Sequence, residues 1–188
     1  MRELIALLAA ALLACGAARA ADDVTVETLR KGEAVEVHCS ATIEATWDVV
    51  WQTLTDYGRL ADFVPGMRRS RIVSYSNGSA VVEQLGEARF LFVTYPIEVT
   101  LSSVERAPDT IEARMLKGSL TRMEGAYRLQ ARPEGRVRLT WDGLIEAPGL
   151  PPLIGELVMR ANIEDQFRGM VREIERREAL RRERTGKP

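Results

Sequence analysis

Apolar and polar residues alternate cleanly from Ala34 to Thr42. Val35, Val37, Cys39 and Ala41 face one way, and Glu36, His38, Ser40 and Thr42 the other. A period of two over this length predicts a half-buried β-strand. The period then changes. Trp47, Val50, Trp51 and Leu54 recur at helical spacing, so a helix follows directly, with Thr46 as N-cap and Asp48 at the positive end of its first turn. A second short helix, capped by Asp56, ends in Leu60, Phe63 and Val64 and is stopped by Pro65-Gly66. Two helices this short cannot bury both their faces, so a sheet has to enclose them.

From residue 69 to 146 the chain reads as six strands, near 69–76, 79–90, 96–106, 110–117, 120–132 and 136–146. Turn signals separate them. The clearest is Ser76-Asn77-Gly78-Ser79, a two-residue hairpin turn that needs positive φ. Pro96 cannot donate to a ladder and belongs at a strand start, bulge or edge. After the stiff connector 147–152, Leu153, Ile154, Leu157, Val158, Ala161, Phe167, Val171 and Ile174 trace the apolar face of a long helix. Its end, from Arg176 to Lys187, is highly charged and is expected to fray, leaving 179–188 as a charged tail. Residues 21–32 show no strong period. With the strand at 34–42 the count is seven strands, in an α+β chain with no repeat and no second domain.

Composition narrows the function classes. At 46% hydrophobic and 28% charged, the chain has an ordinary globular balance. A formal net charge of −1 supplies no basic field for nucleic acid. Residues 1–20 fall outside the fold. Arg2, the apolar run from Leu4 to Ala14, and the small-x-small pattern Ala18-Arg19-Ala20 read as a cleaved export signal, which places the protein in the periplasm. An alternative is a lipoprotein signal at Leu12-Leu13-Ala14-Cys15-Gly16, anchoring the chain through Cys15. Cys39 then has no partner and reads as a small buried hydrophobe. The folded domain is bounded at 33–178.

The run Trp51, Leu54-Thr55-Asp56-Tyr57 and Phe63-Val64-Pro65-Gly66 resembles the first helical segment of the START-like, or SRPBCC, superfamily. It is most similar to the polyketide cyclase-like and coenzyme Q-binding group. The similarity extends from about Val35 to about Arg177. It implies a helix-grip fold, in which a curved seven-stranded antiparallel sheet wraps around the long C-terminal helix and leaves a cavity at one end.

Candidate chemistry is sparse. His38 is the sole histidine and lies on a polar strand face. With this solvated histidine and one cysteine in the mature chain, the sequence presents no Ser-His-Asp set, Cys-His pair or His/Cys zinc site. No glycine-rich phosphate loop opens a helix. No catalytic residue, metal or cofactor is therefore assigned. Strand alternation places Met115, Met123, Tyr127 and Trp141 on inward faces, with the carboxylates mostly outward. Such a face suits a hydrophobic ligand, and Met, Tyr and Trp suit an adaptable pocket with a polar handle. Asn162 and Gln166 stack at the edge of the long helix's stripe, where they can bond a carbonyl. Phe63, Val64 and Pro65, with Phe92 and Tyr95, are placed at the lid or mouth, in reach of a membrane. The expected function is to bind or carry a lipid, quinone or isoprenoid in the bacterial envelope, with transient membrane contact. The alternatives are a polyketide aromatase/cyclase with Tyr127 as acid, and a ligand-free interaction domain.

Overall fold

The computed structural model describes residues 24–90, 93–148 and 152–186. One antiparallel sheet of eight strands carries the fold, in the order β1-β2-β8-β7-β6-β5-β4-β3. The strands are β1 (Thr25–Lys31), β2 (Ala34–Ile43), β3 (Met67–Ser76), β4 (Ser79–Phe90), β5 (Val93–Arg106), β6 (Thr110–Gly118), β7 (Arg122–Ala131) and β8 (Val137–Glu146). Helix α1 (Trp47–Leu54) and a 3₁₀ helix (Tyr57–Asp62) stand between β2 and β3. The 34-residue helix α2 (Pro152–Thr185) closes the chain. The sheet curls without closing, and α2 packs against its inner face.

The six strands from 69 to 146 fall where the alternation places them. Asn77 and Gly78 turn the β3–β4 hairpin at φ 50° and 70°, as its sequence requires. The strand count is eight rather than seven. The extra strand is the lead-in, Thr25–Lys31, which pairs along its whole length with β2 through a turn at Gly32, where φ is +66°. Only Val26 of this strand is buried, so its alternation is faint; the ladder to β2 holds it.

Helix α1 is rotated from its expected face. Val49, Val50, Thr53 and Leu54 are buried, while Trp47 and Trp51 are half-buried. Thr46 makes no side-chain cap of its own helix. Its N–H and its hydroxyl instead donate to Glu178 Oε2 of α2, at 3.2 and 3.0 Å. Asp56 likewise leaves the 3₁₀ helix uncapped and accepts from Arg177 Nη2 at 2.8 Å.

The C-terminal charged run is docked, not frayed. Glu173 and Glu178, 7% and 2% exposed, gather the arginines that follow them. Arg176 and Arg177 bond Glu173; Arg181 and Arg182 bond Glu178; Arg182 Nη2 also donates to the Glu44 carbonyl at 3.0 Å. These contacts explain why the helix runs unbroken to Thr185. Bonds from Arg176, then Arg177, hold the Glu173 carboxyl down to about 2. Arg181, with Thr46 and Arg182, does the same for Glu178.

A pH dependence follows. Both carboxyls sit below their ordinary value of 4.5, so their contribution is complete above about pH 4.5 and is lost as pH falls toward about 2. The urea midpoint is expected to drop across that window. A Glu173→Gln, Glu178→Gln variant should be less stable at pH 7, by about 1–3 kcal/mol per site. It should also lose most of the acid dependence; an equal acid dependence in the variant would place its origin elsewhere.

Candidate functional site

The sheet's inner face and α2 do not meet everywhere. Between them lies a cavity in two parts. The outer chamber, about 210 Å³, lies where β4, β5, the β6–β7 connection and the N-terminal half of α2 converge. Leu85, Ile97, Val99, Leu120, Val158 and Met159 make its wall largely apolar. Tyr95, 40% exposed, connects it to the surface. The inner chamber, about 150 Å³, is enclosed by the 3₁₀ helix, β5 to β8 and α2, with Leu54, Leu60, Leu101, Ile111, Phe167 and Met170 in its wall. Met67, Gln84, Met123, Ile145, Ile163 and Gln166 line both chambers and so form the waist between them.

The inner end is organised around Tyr127 and Trp141, which face each other in register across β7 and β8. Their ring centroids are 6.4 Å apart and tilted by 49°, an ordinary favourable geometry for an aromatic pair. The indole can lie over the sheet because Gly143 and Gly125, themselves register partners, leave room for it. A Cβ at Gly143 would stand 2.3 Å from Trp141 Cη2, and one at Gly125 3.0 Å from Cε2. Burial pushes the Tyr127 phenol up. It pushes the Cys39 thiol up to about 12, with help from Asp142 and Glu164, so this inner-chamber cysteine is a neutral thiol. Burial, then the Glu105 carboxylate, raises Tyr57 as well.

The other expected site residues separate into three groups. Met123, Tyr127, Trp141, Asn162 and Gln166 all line the cavity. Met115 does not. It lies beyond the last β6–β7 pair, Arg114 with Glu124, in a separate surface depression with Arg122 and Glu146. Among the lid residues, Val64 lines the inner chamber and Tyr95 the outer. Phe63 and Pro65 instead pack on α2. A Cβ at Gly169 would meet Pro65 Cδ at 2.3 Å and the Phe63 carbonyl oxygen at 2.7 Å, and Arg177 stacks 5.3 Å from the Phe63 ring centre. Phe92 lies outside the described residues.

Asn162 lines the outer chamber, but its amide is engaged. Oδ1 accepts from the Arg89 N–H at 3.0 Å, and Nδ2 donates to the Arg89 and Val158 carbonyls at 3.1 and 2.8 Å. It ties α2 to β4. Glu87, 5% exposed, is the charged residue of the described lining, and it pairs with the exposed Arg68 and Arg89. Sequence reasoning missed Gln84, although Ala80, Val82, Gln84 and Gly86 alternate inward and mark it. It also missed Met67, Met159 and Ile163, whose positions depend on how α2 crosses the sheet. On the outer sheet face His38 Nδ1 lies 2.6 Å from Asp142 Oδ1, partly exposed as its strand face predicts. Among the described residues no His, Cys, Asp and Glu cluster could hold a metal ion.

An unclosed antiparallel sheet curled round a long C-terminal helix, with an apolar cavity between them, defines a START-like helix-grip protein. The chain belongs to the polyketide cyclase/dehydrase and lipid transport family, whose model matches residues 34–177. No curated protein sequence matches the chain. Solved structures share the fold at low identity. The ZhuI aromatase/cyclase from Streptomyces sp. R1128 is 20% identical, with a TM-score of 0.65, over 79% of this chain and 95% of that one. A STAR-related lipid transfer protein from Xanthomonas axonopodis is 14% identical, with a TM-score of 0.67, over 84% and 96%. The human StarD13 lipid transfer and protein localization domain is 14% identical, with a TM-score of 0.60, over 86% and 87%.

Proposed function

We propose that this protein binds a hydrophobic small molecule in the cavity between sheet and α2, and carries it in the bacterial envelope. The observation that supports the reading is the pair of adjoining chambers that share six lining residues, with a largely apolar wall and the charged residue of the described lining, Glu87, in the outer one. Each CH₂ buried there contributes roughly 0.8 kcal/mol, so a tail of about ten carbons contributes about 8 kcal/mol before the costs of association and ordering are subtracted. The family description, which includes lipid transport, agrees with it. The envelope assignment rests on the export pattern of residues 1–20.

Native mass spectrometry of protein purified from its own envelope, followed by organic extraction, tests both parts. A co-purifying apolar molecule and a chain beginning at Ala21, or at a lipidated Cys15, are expected. Recovery without any bound molecule, from cells shown to retain it in no other way, counts against the carrier; retention of Met1 to Ala20 removes the envelope assignment.

The second reading, cyclisation of a polyketide, is favoured by one observation: the Tyr127 phenol faces the inner chamber. Its raised pKa makes it a reluctant acid. Tyr127→Phe separates the two. For a carrier the change removes at most one hydrogen bond, about tenfold or less in affinity. For a cyclase acting through the phenol it lowers turnover about 100-fold or more with little effect on binding.

A further inference from the structure

At the waist, two amides face the cavity. Gln84 follows Ala80 and Val82 on the inward side of β4, and Gln166 lies beside Ile163 and Phe167 on α2. Both line both chambers. Among the described residues neither side chain has a hydrogen-bond partner, whereas Asn162, one turn earlier on the same helix, has three. Their neighbours at the waist, Met67, Met123, Ile145 and Ile163, offer them nothing polar.

An amide in an apolar wall is satisfied by water while the cavity is wet. A ligand that fills the waist displaces that water. If the ligand is hydrocarbon at that point, two amides are left buried without partners, which is costly. If it carries an oxygen there, the amide N–H groups donate to it and the displacement is repaid. Charge is not called for, because the cavity's charged group, Glu87, sits in the outer chamber and is already paired. Resting on the binding function proposed above, we infer that Gln84 and Gln166 select neutral ligands bearing a carbonyl or hydroxyl midway along an otherwise apolar body, and reject those that are hydrocarbon throughout.

Equilibrium dialysis with a shape-matched pair tests this: 1,4-naphthoquinone, and 1,4-dimethylnaphthalene, in which methyl groups replace the two oxygens. The wild-type protein should bind the quinone at least tenfold more tightly. A Gln84→Leu, Gln166→Leu variant keeps the side-chain volume and removes both amides. It should lose that preference at least tenfold, with the hydrocarbon binding more tightly than to wild type. Tighter hydrocarbon binding also certifies that the variant has folded with its cavity intact. Equal affinities in the wild type, or an unchanged preference in the variant, overturn the inference and leave the cavity a binding site. Binding of neither probe to the wild type overturns the binding function and the inference with it.

Discussion

Met123→Trp is expected to weaken uptake of a fluorescent lipid or quinone analogue at least tenfold without unfolding the protein. Met123 lines both chambers and stands at the waist opposite α2. A larger side chain in a filled core forces strain of about 1–3 kcal/mol. Here the side chain has a cavity to enter, so the added indole occupies ligand space and leaves the surrounding backbone in place. Fluorescence titration gives the affinity, and circular dichroism the fold. Met115→Trp is the control. Met115 lies in a surface depression outside the cavity, so the same change should alter binding by less than about twofold. Equal effects at both positions would mean that the ligand does not sit in this cavity.

Gly143→Ala is expected to destabilise the protein by about 1–3 kcal/mol and to weaken binding together with it. The new methyl would stand 2.3 and 2.4 Å from two indole carbons of Trp141, so the ring must leave its place over β8. Backbone blocks it on the sheet side; the free direction is into the inner chamber, beside Tyr127. Stability is read by denaturant titration, and the ring's displacement by near-ultraviolet circular dichroism. Gly58→Ala is the comparison, since a Cβ there meets nothing within 4 Å. A neutral Gly143→Ala would show that the indole adapts at no cost.

The strands, the hairpin at Asn77-Gly78 and the long helix were legible because each repeats a local period or places a turn residue where its backbone needs one. The inward pairing of Tyr127 with Trp141 was legible for the same reason: consecutive antiparallel strands put residues of one face side by side. β1 was not legible, because one buried valine gives no pattern and its partner strand supplies the reason for it to be extended. Nor was the burial of Glu178. A carboxylate amid arginines reads as solvent-exposed until α1 brings Thr46 to it. Along α2, Leu157 is 57% exposed and Met159 faces the cavity, because the helix meets the sheet along a line that the residues 153–161 alone do not determine. Gln166 was legible as ligand-directed from its place beside the helix's apolar stripe, whereas Gln84 carries only the alternation of β4, and its place in both chambers is seen only in the fold.

Helix α2 divides its work along its length. From Phe167 onward it is held by fully buried Val171 and Ile174, by Gly169 against Pro65, and by the Glu178 cluster. Before that point it is held by Val158 and by side-chain bonds, Asn162 to Arg89 and Thr28 to Glu156, and it presents Met159, Ile163 and Gln166 to the cavity. The residues that shape the outer chamber, up to Gln166, thus lie ahead of the helix's main anchors, Val171, Ile174 and Glu178, while Phe167 and Met170 line the inner chamber. For protein engineering, that makes the first half of α2 a place to vary: libraries at 159, 163 and 166 can be searched for new ligand preferences while the anchors from Gly169 onward are left unchanged.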